Sequence, residues 1–129
     1  MNRFFSYAFA ALMFAALSGC ETIPASSSEV LAAQTPLICD NKEACDKMWR
    51  KASYWISTNS GYKIQTANDA VIETFNAPNY STTWAYQVTR EPLEGTKERI
   101  WLRPSCGRVP ACSQDPRSMA ARFKTYVGN

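Results

Sequence analysis

The chain contains no histidine in its 129 residues. That removes the commonest general base and a favoured metal ligand, and it rules out any Ser-His-Asp hydrolytic system. There is no C-x-x-C pair and no thioredoxin-like strand–helix–strand pattern, so a dithiol redox centre lacks its usual frame. No glycine-rich nucleotide-binding loop and no internal repeat is visible. The most apolar run, FFSYAFAALMFAAL at residues 4–17, is 14 residues long. A helix needs ~20 such residues to cross ~30 Å of hydrocarbon, so this run is too short to span comfortably.

What is present at the N-terminus is an export signal. Arg3 supplies a basic tip, residues 4–17 supply the apolar core, and small residues follow. The competing reading, a membrane helix, is disfavoured by length. The signal ends in Leu17-Ser18-Gly19-Cys20. This tetrad resembles the lipobox of bacterial lipoproteins: an aliphatic residue, a small residue, Gly or Ala, then Cys. The resemblance implies a diacylglycerol thioether on the Cys20 sulfur, cleavage before Cys20, and acylation of the new amino group. Two or more acyl chains anchor firmly where one holds only marginally. Glu21 is not the Asp that retains enteric lipoproteins in the inner membrane. The expected location is therefore the cell envelope, on the periplasmic face of the outer membrane, with residues 1–19 removed as a signal peptide.

The mature chain carries 13 Lys plus Arg against 11 Asp plus Glu, and the charge is uneven. Residues 20–96 hold a net −3 and residues 97–129 a net +5. A basic end near a membrane suits anionic lipid, lipopolysaccharide or another envelope anion, although scattered surface charge is the simpler reading. Nucleic acid is not an expected partner, because neither the compartment nor the modest charge fits it. Residues 20–38, with two prolines and three serines, read as a lipid-anchored flexible tether with at most a brief helical turn over 28–33. Fully extended, residues 21–37 reach at most ~56 Å.

Residues 39–129 form the expected domain, small enough that crosslinks would help it. Asp40 and Glu43 suggest a capping box. Cys45, Met48, Trp49, Ala52, Trp55 and Ile56 then mark one helical face, which Ser57-Thr58-Asn59-Ser60-Gly61 ends. The period changes to two over Tyr62–Thr66, residues 70–75, Thr83–Arg90 and Lys97–Arg103, giving four strands with hairpin links. Asp115 and Pro116 open a last helix with Met119, Ala120, Phe123 and Val127 as its apolar stripe. The expected fold is α+β: a two-layer α-β-β-β-β-α domain whose four-stranded antiparallel sheet is covered on one face by two helices. The other face is expected to carry Lys63, Gln65, Gln87, Arg99, Trp101 and Arg103. The inward or outward direction of Thr74 and Phe75 depends on register, which the pattern leaves open.

Four cysteines form two intervals of equal spacing, CDNKEAC (39–45) and CGRVPAC (106–112). Zinc knuckles usually place two to four residues between paired ligands, not five, so no metal site is assigned. Structural disulfides among Cys39, Cys45, Cys106 and Cys112 fit an oxidising exterior. Crossed pairing would stabilise more, because it closes a longer loop; proximity favours local closure, and the balance tips to the latter.

No catalytic residues and no cofactor are assigned, and the expected function is non-enzymatic. Ser60 and Lys63 are near enough in sequence for a Ser–Lys pair, but they are a common turn-to-strand composition. The carboxylates Asp69, Glu73, Glu91, Glu94 and Glu98 show no converging spacing. Arg99, Trp101 and Arg103 share one strand face and are the candidate contact face, since Arg–Trp–Arg binds anions and stacks on rings or sugars. The plainer reading is a Trp packed beneath a loop beside exposed arginines. Residues 54–57 and 60–66, YWIS and SGYKIQT, are similar to small uncharacterised lipoproteins of proteobacteria, which implies a cysteine-bearing helix leading into an antiparallel sheet and no activity. The expected protein is thus an envelope lipoprotein contacting an envelope protein or an anionic lipid or polysaccharide surface. The alternatives are a structural or secretion-apparatus subunit and a hydrolase of an envelope polymer.

Overall fold

A computed structural model of the chain describes residues 23–110 and 112–129. The expected signal peptide, residues 1–19, and the expected lipidation site, Cys20, lie outside the described residues.

The domain is α+β, with an antiparallel sheet on which the helices pack from one side. Its longest helix, α2 (Lys42–Asn59), buries Cys45, Trp49, Ala52, Trp55 and Ile56, with Met48 packed at the margin of the core. This is the stripe that the 3.6-residue period marks. The start differs by one residue: Asn41, not Asp40, is the N-cap, and its side-chain oxygen accepts the Ala44 N–H at 2.9 Å. Glu43 consequently sits one position too early to close a capping box with its cap.

Four strands follow as the alternation indicates: β2 (Ile64–Ala67), β3 (Val71–Thr74), β4 (Ala85–Pro92) and β5 (Glu98–Ser105). The sheet has a fifth strand, which corrects the expected four. Leu37–Cys39, here β1, pairs antiparallel with residues 98–100 of β5, giving the order β1-β5-β4-β3-β2. Three residues are too short to show a period, but Leu37 and Cys39 point inward while Ile38 points out.

The expected tether over 20–38 is also corrected from residue 27 onward. Ser27–Gln34 is a helix, α1, closed by a capping box between Ser26 and Glu29. It buries no residue and has almost no apolar face. It is held from outside: Lys124 Nζ donates to the carbonyls of Ala33 and Thr35, taking up acceptors that a helix end leaves free. That lysine belongs to α3 (Pro116–Gly128), N-capped by Asp115 with Pro116 in the first turn. On α3 the buried residues are Met119, Phe123, Val127 and Ala121; Ala120, expected in the stripe, is only half-buried. Ala121 faces the groove shared with α1, so α3 has a second packed side.

The core lies between α2, α3 and the inner sheet face. Trp84, Tyr86 and Val88 of the β4 segment meet Ile100 and Leu102 of β5, Ile72 of β3, and Trp55 and Phe123 from the helices. Trp55 sits edge-on to both Tyr86 and Phe123, with ring centroids 5.4 and 5.3 Å apart. The register settles the open direction at the end of β3. Thr74 points inward and is buried, while Phe75 is exposed. Between Ile64 and Thr66 the pairing slips by one residue, so Gln65 is an extra residue on the edge strand.

Candidate functional site

The sequence directs attention first to Arg99, Trp101 and Arg103. The ladder pairs Arg99 with Glu91, Trp101 with Thr89 and Arg103 with Gln87 across β4 and β5. Ile100 and Leu102 between them are buried, which places all three on the outer face. They are not equivalent. The Arg99 guanidinium donates through Nε and a terminal nitrogen to Glu91 Oε2, at 2.7 and 2.5 Å, and its Cζ lies 5.8 Å from the Trp101 ring centre. Trp101 is 38% exposed and also lies 5.4 Å from Lys124 Nζ. β1 covers β5 only as far as Ile100, so the edge beside Trp101 is open and the indole can meet α3 there. Burial draws the Lys124 ammonium below its ordinary pKa. Arg103 is exposed and makes no ion pair among the described residues.

The same face carries more apolar surface than the pattern suggests. Ile38 is 45% and Phe75 52% exposed. Ile38 stands across from Arg99 on β1, a strand the period does not reveal. The outer face is therefore a mixed strip, cationic along β5 with apolar side chains at each flank.

Glu98, which the sequence spacing leaves without a converging carboxylate, meets Asp46, but on a structural cation. Arg90 is nearly buried; its Nε donates to Glu98 and a terminal nitrogen donates to Asp46 Oδ1 at 2.9 Å. Lys42 adds a bond to Asp46 at 2.6 Å. The hydrogen bond from Lys42, then that from Arg90, lowers the Asp46 pKa. This network ties α2 to β4 and β5 and engages both Asp46 and Glu98 in ion pairs.

Both cysteine intervals close locally, Cys39 with Cys45 and Cys106 with Cys112. The Cys39 and Cys45 sulfurs come near a Glu98 oxygen, a grouping with metal-ligand spacing. Their bond to each other leaves no thiolate for an ion, so these residues do not fit a metal centre.

Two open grooves flank α3. One, of about 460 Å³, is lined by Thr58, Ser60, Thr83, Gln114, Met119 and Arg122 among others. Trp84 and Tyr86 line it as well, and their Nε1 and Oη are buried without a hydrogen-bond partner among the described residues. Burial pushes the Tyr86 hydroxyl up to about 12. The second groove runs between α1 and α3 past Ala32, Ala121 and Tyr126. Ser60, one half of the Ser–Lys pair considered from sequence, has its hydroxyl accepting the Tyr62 N–H at 3.0 Å, as a turn residue does.

No helix among the described residues is long and apolar enough to cross a membrane. No protein-family model matches the chain, and no curated protein or solved structure matches it either.

Proposed function

We propose that the protein is a non-enzymatic cell-envelope lipoprotein, anchored through acylated Cys20, whose small domain contacts an envelope partner. The observation that carries this is Leu17-Ser18-Gly19-Cys20 behind a 14-residue apolar run with a basic tip. Two disulfides in a domain of this size agree with an oxidising compartment. The outer face of the sheet is the proposed contact surface, with Trp101 and Arg103 as its centre. Arg99 contributes by orienting the indole and has its charge already matched by Glu91.

Intact-mass measurement of the full-length protein from a bacterial envelope tests the anchor. A mass corresponding to cleavage before Cys20 plus a diacylglyceryl group is expected, and Cys20→Ser should leave an unprocessed, unacylated chain. A wild-type chain cut elsewhere and bearing no lipid would sink the reading. Crosslinking in the native envelope tests the contact surface: Trp101→Ala with Arg103→Ala should lose neighbours that the wild type captures.

A second reading, a structural or secretion-apparatus subunit, is favoured by the exposed Ile38 and Phe75 on that same face. It would show as a defined higher-order assembly in envelope extracts. A protein that stays monomeric there counts against it.

A further inference from the structure

The chain enters the domain at one end, and that end is cationic. The Ala25 N–H donates to Asp115 Oδ2 at 3.3 Å, and Asp115 caps α3. Entry is thus pinned beside the first turn of α3. Lys124 near the end of α3 holds the last carbonyls of α1, so the two helices run side by side in one direction. At the entry end β2 and β4 begin and β3 and β5 finish. The loops there are tied together: Gly107 N–H donates to Ser81 O at 2.8 Å, Ser113 N–H to Thr82 O at 3.0 Å, and the Tyr62 and Ser81 hydroxyls meet at 2.6 Å.

Charge separates along the same axis. Lys63, Arg108, Arg117 and Arg122 are exposed at the entry end. In residues 60–63, 75–84 and 106–115 the acidic residue is Asp115 alone, and Arg117 engages it at 2.7 and 3.0 Å. Glu29 in the first turn of α1 is a second carboxylate at this end, taken up by the Ser26 cap, which leaves four cations against two carboxylates. At the far end, residues 38–47, 67–71 and 90–99 hold seven acidic residues against five basic ones. Two large side chains also project at the entry end: Tyr80, 84% exposed with a left-handed φ of 66°, and Ile23, 79% exposed. Between Cys20 and Ala25 the chain has six residues counting both, which reach at most ~20 Å.

We infer that the entry end is a membrane-docking surface that rests on an anionic phospholipid leaflet. Lys63, Arg108 and Arg122 face the lipid phosphates, and Tyr80 sits at headgroup depth, where an aromatic ring with a polar tip is favoured. The inference rests on acylation of Cys20, because only a short anchored leader keeps these loops within ~20 Å of the surface, from where they can come inside the Debye length of about 10 Å. Strand ends then point at the membrane and the outer sheet face looks sideways, open to a neighbour.

The test is hydrogen–deuterium exchange on the full-length acylated protein. It is reconstituted into vesicles of phosphatidylcholine alone or phosphatidylcholine with phosphatidylglycerol. Amides of residues 78–84 and 106–115 should be protected more on the anionic vesicles, while residues 90–99 should not change. Each cation near an anionic leaflet shifts the docked population about fivefold. Lys63→Glu with Arg108→Glu should therefore cut the docked-to-undocked ratio at least about tenfold. If that variant does not fold, the wild type still decides: its added protection must vanish with rising salt. An unacylated Cys20 in the intact mass removes the anchor and the docking together. An acylated chain whose loops exchange equally on both vesicles, or keep their protection at high salt, overturns the docking alone.

Discussion

Single residues decide where polar groups meet the core. Thr74 is buried, and its hydroxyl accepts the Tyr86 N–H at 2.9 Å just past the last ladder pair of β3. It thereby satisfies a backbone donor at the point where β3 stops pairing. Thr74→Val keeps the shape and orphans that donor, so it should destabilise by about 1–3 kcal/mol, measured as a lower urea midpoint with unchanged slope. Tyr86 is the opposite case. Its hydroxyl is buried without a described partner, so Tyr86→Phe should leave stability unchanged or raise it by up to about 1 kcal/mol. A clear fall in melting temperature would mean that the hydroxyl is satisfied after all. Both residues belong to strands the alternation reveals. Their polar contacts were not legible, because the direction of Thr74 depends on a register that Gln65 shifts by one.

Elements were legible where they carry their own apolar pattern and illegible where they borrow stability. α2 shows a full stripe and is placed to within a residue or two from sequence alone. β4 and β5 alternate cleanly and are equally plain. α1 has no stripe, and β1 is three residues long. Both exist because α3 and β5 offer surfaces for them, and no window of sequence contains that fact. Ala121, half a turn from the marked stripe, is the trace that α3 leaves of its second partner. If Lys124 holds α1, then Lys124→Met should raise hydrogen exchange across residues 27–36 while leaving α2 and the central strands protected. Equal protection in the variant would show that Ser26 capping and alanine packing suffice. The contact face divides the same way: its β5 members follow from alternation, whereas Ile38 enters through β1.

At the scale of the whole domain, ion pairs give stability a defined pH dependence. The hydrogen bonds from the Arg117 side chain, opposed by burial and helped by the Arg117 and Ala25 backbone, hold the Asp115 carboxyl well below the usual carboxylate range. Asp46 is lowered as well, chiefly by Lys42 and Arg90. A carboxyl with a lowered folded pKa stabilises the fold above its unfolded value of about 3.9 and loses that contribution as pH falls toward the folded value. The melting temperature should therefore be nearly flat from about pH 7 to 5 and drop below about pH 4. Asp115→Asn should melt lower at neutral pH and show a shallower acid drop. An identical acid profile in the variant would assign the sensitivity to Asp46 and other carboxyls.

The local closure of both disulfides bears on how the domain is made. Each cysteine of the folded domain bonds to the next one along the chain, Cys39 to Cys45 and Cys106 to Cys112. With Cys20 acylated as proposed, a chain delivered N-terminus first lets Cys39 and Cys45 close before Cys106 emerges, so that Cys106 then has only Cys112 to pair with. Correct crosslinks form in order of emergence, and the slow reshuffling that crossed patterns require has nothing to correct.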